Sequence, residues 1–294
     1  MTTDKVDLVM WTKNGAKTLP FVLRQIQCVI PKDAIKRKVI IDDNSFDDSK
    51  LIANRFGWSV YPNDGRGISD GANTALEHVE SERFVSLEQD ILLSPQWWFN
   101  VPRMLNEKDT AIASGTRFPN KPLALRNLLE HNLEKYPRIM EDRDAFHYGK
   151  TLDNTIYRTE TIKNIGGFPR FKRKDLHACV DTVLAKRVFD AGFKWKVDYN
   201  VKSLHIRKGL RDELRHFYWY GSLHPTLEPY IFGKQASAKK FLKGLFFSPK
   251  NGVALALKLN SPQLIYIYPL IHLALYRGLV FGRRSMCARS SIQV

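Results

Sequence analysis

The segment KVIIDDNSFDDSKLIANRF, residues 38–56, contains a short apolar run, an acidic loop and a helical pattern in succession. Lys38 to Ile41 is apolar and β-branched, which predicts a buried strand, and Ser49 to Phe56 predicts a short helix. Four carboxylates lie within seven residues between them: Asp42, Asp43, Asp47 and Asp48. A strand, a polar loop and a helix in this order form one unit of an α/β fold.

The same unit occurs before and after this segment. Upstream, Val6 to Met10 predicts a strand, and the turn-forming Lys13-Asn14-Gly15 leads into a helix that begins near Leu19. Downstream, the pattern predicts a strand at Trp58 to Tyr61, a helix around Ala72 to Val79 and a strand at Arg83 to Leu87. We therefore predict an α/β fold with a mostly parallel, Rossmann-like sheet and helices on both faces.

The alternation becomes irregular after Pro95 and stops after His205. Helices are predicted at Leu123 to Lys135 and at Val180 to Ala191. Beyond about residue 210 the composition turns aromatic and basic. The predicted organisation is a catalytic domain at residues 1–210, followed by a helical, basic and apolar extension at residues 211–294.

The positive charge is concentrated in that extension. The formal net charge is +16, and residues 201–294 contain fifteen lysines or arginines against three acids. The first two hundred residues are therefore close to neutral. A basic segment on a near-neutral body favours an anionic partner, either phospholipid headgroups or nucleic acid phosphates.

The cysteines and the N-terminal residues indicate the cellular compartment of the protein. Cys28, Cys179 and Cys287 lack the paired spacing of a zinc site or a disulfide framework, so we expect a reducing compartment. Residues 1–10 contain no basic stretch followed by a long apolar run, so no signal peptide is expected. These features predict a cytoplasmic protein.

Acidic side chains at the predicted strand ends are the candidate site residues, since ligands of such sheets bind beyond the carboxyl ends of the strands. Asp43 is placed to accept hydrogen bonds from a nucleobase or ribose. Asp47 and Asp48 fit helix capping better. After the fourth strand, Glu88 and Asp90 offer the hard oxygen ligands of a divalent cation that shares its coordination with phosphates, although a solvated turn uses the same residues.

The order of these motifs resembles that of the family 2 glycosyltransferases of GT-A fold, over about residues 5 to 210. The resemblance rests on seven stretches in the family's order: Trp11-Thr12-Lys13-Asn14, Asp42-Asp43-Asn44-Ser45, Gly65 to Asn73, Glu88-Gln89-Asp90, Gly166-Gly167-Phe168, Val180-Asp181 and His205.

The resemblance implies a role for each motif. Asp43 would bind the base of a nucleotide sugar, UDP- or GDP-linked, beside the backbone of Trp11, Thr12 and Lys13. Asp90 would hold Mg²⁺ or Mn²⁺ on the diphosphate, with Glu88 nearer the ribose or the metal. Asp181 would be the general base of an inverting transfer, and His205 would approach the metal or diphosphate. Arg66 and Asn73 would lie along the donor.

Four positions keep a second interpretation. Val180 stands where the family commonly has an acid, so Asp175 is an alternative base. His205 lies in an apolar, strand-like context that also suits a core histidine. Arg66 fits a solvated turn as well as a diphosphate contact. Lys13 stands where an aromatic is common, so a charge contact with phosphate would replace stacking on the base.

The extension contains two segments suited to a membrane surface. Ala238 to Phe247, AKKFLKGLFF, interleaves lysines with large apolar residues. Leu264 to Phe281 is more apolar, but Pro269, His272 and Arg277 interrupt it, and an arginine deep in a bilayer costs about 2.5 kcal/mol or more. We therefore expect interfacial rather than spanning helices, with Arg283 and Arg284 near anionic lipid.

Such an enzyme would sit peripherally on the cytoplasmic face of a membrane and use a glycan or lipid-linked acceptor, such as a polyprenyl phosphate. The alternative is that these helices pack on the catalytic domain. Two other functions compete: a nucleotidyltransferase acting on a sugar phosphate, and a basic nucleic-acid-binding protein. The second gives the acids no role, so no nucleic acid partner is expected.

Overall fold

The computed structural model describes residues 5–134, 139–140, 150–170, 180–232 and 237–282. The chain divides into two compact units. The larger consists mainly of Met1–Arg117 and Tyr136–His205, and the smaller of Phe118–Lys135 and Ile206–Ile292. The segment at 118–135 thus belongs to the same compact unit as the C-terminal helices. The functional division near residue 210 stays a prediction.

The first half of the larger unit alternates strands and helices as predicted. Its elements are β1 (Val6–Thr12), α1 (Leu19–Val29), β2 (Ile35–Asp42), α2 (Ser49–Arg55), β3 (Ser59–Pro62), α3 (Gly67–Glu77) and β4 (Arg83–Glu88). The strands lie in the order β3-β2-β1-β4 and all run parallel. Thr12 pairs with Asp42, and Trp11 pairs with both Ile41 and Glu88. The carboxyl ends of three strands therefore meet at one edge of the sheet.

The second half begins with β5 (Ile91–Leu92), α4 (Trp97–Asn100) and β6 (Thr110–Pro119); α5 (Leu123–Leu133) follows in the smaller unit. The larger unit then continues with β7 (Ile139–Met140), β8 (Asn154–Arg158), α6 (Thr159–Asn164), α7 (Val180–Asp190) and β9 (Lys194–His205). These strands extend the sheet beyond β4 in the order β8-β6-β9-β5, with β7 also paired to β9. The pairs β4–β8, β6–β8, β5–β9 and β7–β9 are antiparallel.

The α/β prediction is confirmed, and the antiparallel half explains why the sequence pattern is irregular after Pro95. Apolar periodicity accounts for the packing of the parallel half. All of β1 is buried, and the buried residues of α1 are the five that the helical spacing indicates: Leu19, Val22, Leu23, Ile26 and Val29. Removing these surfaces from water is the main driving force for the layer of helix on sheet.

The smaller unit is helical. It contains α5, α8 (Leu210–Phe232), α9 (Ala238–Lys258) and α10 (Leu264–Phe281). Its core joins the buried faces of α5, α9 and α10, with residues such as Leu125, Leu128, Ala256 and Ile267. Gly278 lies so close to α8 that a Cβ there would stand 1.9 Å from the carbonyl oxygen of Tyr218. Small residues therefore allow α8 and α10 to pack closely.

Judged by length and composition alone, α10 is the single helix in the described part of the chain that could cross a bilayer, and 28% of it is buried. Core helices meet the same criteria. The expectation that it does not span stays a prediction. Arg283 and Arg284 lie outside the described residues.

Candidate active site

The loops that follow β1 and β2 are bound to each other. The backbone N–H of Asn14 donates to Ser45 Oγ at 2.9 Å, and the N–H of Gly15 donates to Ser49 Oγ at 2.8 Å. Asn14 and Asn44 adopt left-handed backbone conformations, with φ of 52° and 57°. Asparagine tolerates this region better than most residues, which explains its position in both turns.

Of the two acids predicted to cap α2, Asp47 makes the contacts. Its carboxylate accepts the N–H of Ser49, the first residue of α2, and the N–H of Ala16, both at 3.0 Å. These hydrogen bonds lower the pKa of Asp47 although desolvation opposes them. Asp48 occupies the N-cap position, but its side chain makes no capping hydrogen bond. Capping is thus confirmed for Asp47 and wrong for Asp48.

Asp43 lies at the carboxyl end of β2 and is 8% exposed. Its Oδ2 is 3.0 Å from Lys13 Nζ and 3.4 Å from the backbone N–H of Gly67. Its Oδ1 accepts from Asn63 Nδ2 at 3.4 Å. Three donors, from the ends of β1 and β3 and the start of α3, thus surround one carboxylate group. Lys13 keeps 58% of its side chain exposed, so its ammonium group remains accessible.

Gln89, the middle residue of Glu88-Gln89-Asp90, connects this loop to the end of β4. Its Oε1 accepts the Thr12 hydroxyl and the backbone N–H of Lys13, the latter at 3.0 Å, and its Nε2 donates to the Lys13 carbonyl at 3.2 Å. Gln89 was not among the predicted site residues, since an amide between two acids has no distinguishing pattern. Its contacts hold the Asp43 region beside the acidic motif.

Glu88 lies against two further residues that the sequence analysis missed, Arg117 and Asp153. Arg117 forms an ion pair with the buried carboxylate of Asp153, and its Nη1 is 3.8 Å from Glu88 Oε2. Asp153 also accepts from the Thr151 hydroxyl at 2.9 Å and from Asn154 Nδ2 at 2.8 Å. Asp153 is therefore fully bonded and holds Arg117 in place.

The acidic side chains around Glu88 form a cluster of negative charge. Burial, followed by the negative charge of Asp153, raises the pKa of Glu88 to about 8; Asp90 and Asp181 also raise this pKa, and Arg117 opposes them. Removal from water disfavours the charged form of this carboxyl group, and three acids act in the same direction against one arginine. A cation bound among these acids would lower that pKa.

Asp90 and His205 form a side-chain pair. His205 ends β9 and pairs with Ile91 of β5, which places its Nε2 3.1 Å from Asp90 Oδ2. The side chain of His205 is 8% exposed and that of Asp90 is 28% exposed. The histidine is thus buried, as a core histidine would be, and also faces the predicted metal-binding acid.

Asp181 lies in the first turn of α7. It is half-buried, and its Oδ1 accepts the backbone N–H of Thr182 at 2.7 Å. Burial raises the pKa of Asp181 to about 6, against the lowering effects of the Thr182 hydrogen bonds and Arg117. A carboxylate with a pKa near neutrality is suited to accept a proton. The alternative base Asp175 lies outside the described residues.

Two residues predicted along the donor have other contacts. Asn73 is buried and bonds only to backbone: its Nδ2 donates to Ser69 and Phe168 carbonyls at 2.9 Å, and its Oδ1 accepts the N–H of Phe168 at 3.0 Å. Arg66 precedes α3 with an exposed side chain. Asn73 thus has a structural role in this fold. Donor contacts by Asn73 and Arg66 stay predictions.

The predicted residues therefore gather at one edge of the sheet, in two linked groups. Asp43 and the Trp11-Thr12-Lys13 backbone form the first, and Gln89 holds this loop beside its chain neighbours Glu88 and Asp90. His205 pairs with Asp90, and Asp181 acts electrostatically on Glu88. Within the described residues, no three His, Cys, Asp or Glu side chains are arranged to hold a metal ion by themselves. The Asp90–His205 pair brings together a carboxylate and an imidazole, two groups that bind divalent cations in proteins.

The fold is of GT-A type. Three solved structures share the fold. A mannosyltransferase from Pyrobaculum calidifontis with GDP-Man and Mn²⁺ is 16% identical, with a TM-score of 0.60, and the match covers 99% of this chain and 77% of that one.

S. aureus TarS with UDP-GlcNAc is 15% identical, with a TM-score of 0.53 and 96% and 92% coverage of this chain and that one. Glucosyl-3-phosphoglycerate synthase from Mycobacterium tuberculosis, with Mn²⁺, UDP and glucosyl-3-phosphoglycerate, is 16% identical, with a TM-score of 0.53 and 80% and 82% coverage. At these identities the similarity establishes the fold.

The sequence comparison identifies the family. The glycosyl transferase family 2 profile matches residues 7–181, more than half of the chain. The chain therefore belongs to glycosyl transferase family 2, and its reaction class is glycosyl transfer. No protein of curated function matches it.

Proposed function

We propose that this protein is an inverting, divalent-metal-dependent glycosyltransferase that uses a nucleoside diphosphate sugar. The observation that carries the proposal is the position of Asp43, Asp90 and His205 at strand ends of one sheet, where ligands of α/β folds bind, with Asp181 close enough to act electrostatically on Glu88. Proteins of similar fold bind GDP-Man, UDP and UDP-GlcNAc, which supports a UDP- or GDP-linked donor.

The donor's nucleoside would bind at Asp43. Its carboxylate oxygens would accept hydrogen bonds from the base, and the backbone of Thr12 lies beside it. Lys13 is 3.0 Å from Asp43 and has an exposed side chain, so its ammonium group is within reach of a phosphate. A lysine acts on phosphate as a mobile point charge. In this proposal the lysine replaces the aromatic contact that the family commonly has at its position.

The residues present fit a divalent cation that is shared with the donor. Mg²⁺ and Mn²⁺ sites at phosphates need only one or two protein ligands, with phosphate oxygens and water completing the coordination. Asp90 and His205 are the two ligands we assign, with Glu88 next to them. The charges of Asp90, Asp153 and Asp181 all act on Glu88 against that of Arg117 alone, which supports a cation at this place. When bound, the cation would stabilise the charge that develops on the departing diphosphate.

The transfer would be a single displacement. Asp181 accepts the proton of the acceptor hydroxyl as its oxygen bonds to the anomeric carbon of the sugar. The bond from that carbon to the diphosphate oxygen breaks in the same step, and the electron pair leaves with the nucleoside diphosphate. Attack opposite the leaving group inverts the anomeric configuration.

We place the enzyme in the cytoplasm, peripherally at an anionic membrane surface, with a glycan or a lipid-linked acceptor such as a polyprenyl phosphate. The support is the basic charge of residues 201–294 and the apolar side chains exposed on α9 and α10. Basic charge and exposed apolar side chains both favour binding of the protein to an anionic lipid surface.

The test is a thermal-shift and turnover screen of UDP-, GDP- and dTDP-sugars with and without Mn²⁺. We expect one donor to raise the melting temperature only with Mn²⁺, and turnover to release a nucleoside diphosphate. Release of pyrophosphate would indicate a nucleotidyltransferase. Asp90→Ala should abolish the Mn²⁺-dependent shift, while Asp33→Asn, an exposed acid in a distant turn, should keep it. Full activity of Asp90→Ala would reject the metal site.

A further inference from the structure

The smaller unit exposes an unusual amount of apolar surface. Among the described residues, twelve of the sixteen exposed large hydrophobic side chains belong to it, although it is the smaller of the two units. Soluble proteins seldom expose large contiguous apolar patches without a partner. On α9 the exposed set includes Leu242 at 50%, Phe246 at 75%, Val253 at 45% and Leu257 at 80%.

These four side chains lie on one face of α9. A helix turns by about 100° per residue, so positions 242, 246, 253 and 257 fall within about 60° of each other. We name this set the α9 stripe. The buried residues of α9 are Ser248, Gly252 and Ala256, which lie roughly a third of a turn away. The stripe therefore points away from the core of the unit.

Lysines border the stripe on its other side. The same rotation places Lys239, Lys243 and Lys250 next to the stripe, on the edge farther from the buried face. All five charged residues of α9 are lysines. An apolar face with a lysine border is the composition of a helix that lies in the headgroup layer of an anionic bilayer. The lysine stems cover apolar surface while the ammonium groups reach the phosphates.

We infer that α9 lies in the plane of the membrane, with Leu242, Phe246, Val253 and Leu257 inserted and Lys239, Lys243 and Lys250 at anionic phospholipid headgroups. This inference rests on the membrane location proposed above and specifies the surface. A second copy of the chain fits the stripe less well, because symmetric pairing would bring the lysine rows of two α9 helices together. A nucleic acid would use the lysines but leave the aliphatic side chains uncovered.

The test is flotation of the full chain with vesicles of phosphatidylcholine alone, or of phosphatidylcholine mixed with phosphatidylglycerol. The wild type should bind the anionic vesicles more strongly, and added salt should weaken that binding. Replacing all three bordering lysines by glutamine should lower the partition coefficient about 100-fold, at roughly 1 kcal/mol for each lysine. The matched control replaces three exposed lysines of the larger unit, Lys5, Lys17 and Lys32.

The apolar half is tested by Phe246→Gln with Leu257→Gln, which should lower binding to both kinds of vesicle about 10- to 100-fold. The matched control is Phe21→Gln with Leu51→Gln, two exposed positions on α1 and α2. Because all four side chains are exposed, the variants should keep the wild-type melting temperature. Equal vesicle binding by the α9 variants and their controls would overturn the inference. A wild-type dimer that Phe246→Gln makes monomeric would also overturn it.

The same variants separate this inference from the proposed function. The Mn²⁺-dependent thermal shift with the sugar nucleotide should be unchanged in every α9 variant, since the donor site lies in the larger unit. Loss of vesicle binding with an intact donor shift supports the inference. Vesicle binding by a wild type that no nucleotide stabilises would reject the proposed transferase and leave the α9 surface standing.

Discussion

Replacing Asn73 tests whether this residue acts on the fold or on the donor. Its amide makes three buried hydrogen bonds, of 2.9, 2.9 and 3.0 Å, and two of them pair the N–H and the carbonyl of Phe168. Phe168 is 1% exposed and packs edge-on against Trp11, Phe84 and Tyr157. Asn73 therefore fixes the backbone from which a central core side chain extends.

The expected loss for Asn73→Ala follows from these contacts. Each hydrogen bond contributes about 1 kcal/mol net, and a buried backbone group left without a partner costs about 1–3 kcal/mol. Two such groups at Phe168 lose their partner, so we expect the free energy of unfolding to fall by about 3–5 kcal/mol. Asn73→Asp should be no better, because a carboxylate cannot donate to the carbonyls of Ser69 and Phe168.

The assay is urea unfolding followed by tryptophan fluorescence, which reports on the larger unit through Trp11. The control is Asn100→Ala, since the Asn100 amide donates once, at 3.2 Å, to the carbonyl of Gln96, which immediately precedes α4. We expect a large shift of the urea midpoint for Asn73→Ala and a small one for the control. An unchanged midpoint for Asn73→Ala, together with weaker nucleotide binding, would refute the structural role and favour a donor contact.

Three further predictions concern the site and the helical unit. Because burial raises the pKa of Asp181 to about 6, kcat/KM should fall as the pH drops through about 6. Asp181→Asn should lower kcat by about 10²- to 10⁴-fold. A kcat/KM that does not change with pH through this range would contradict the role of Asp181 as the base. Between pH 4.5, its ordinary pKa, and about pH 8, Glu88 is protonated in the metal-free folded protein and ionised in the unfolded chain. The melting temperature of the metal-free protein should therefore fall as the pH rises through this window, and it should fall less in Glu88→Gln. Equal falls in the two proteins would contradict the raised pKa of Glu88. Gly278→Leu should lower the free energy of unfolding by about 3 kcal/mol or more, because the new Cβ would overlap the Tyr218 carbonyl. Urea unfolding followed by the far-UV circular dichroism of the helices measures this loss. A urea midpoint equal to that of the wild type would contradict the close packing of α8 and α10.

The secondary structure of the parallel half was largely predictable. Strands and helices from Val6 to Glu88 are set by apolar periodicity, which is a local property. The predicted strand at Lys38 to Ile41 extends in the structure from Ile35 to Asp42, and the predicted helix ending at Phe56 ends at Arg55. The antiparallel half was not predicted, because the partner strands β4 and β8 lie far apart in the chain and pair only in the folded sheet.

The candidate site was predictable where it follows a strand. Asp43, Glu88 and Asp90 lie at the ends of β2 and β4, and neighbouring parallel strands end at the same edge of the sheet. Arg117 and Asp153 have no such marker. The first lies within β6 and the second just before β8, 36 residues later in the chain, and only the antiparallel pairing brings their charges together beside Glu88.

The sequence by itself determined the α/β class, the family and the acids that follow the parallel strands, because these depend on local periodicity and on motif order. Tertiary structure alone decided which side chains meet. In the folded chain, His205 contacts Asp90, 115 positions away, and Asn73 bonds to Phe168, 95 positions away. The side chains of the α9 stripe are exposed. Contacts between distant segments depend on how the strands pair and how the helices pack. Local sequence patterns do not predict these contacts, because they reflect only residues that are close together in the chain.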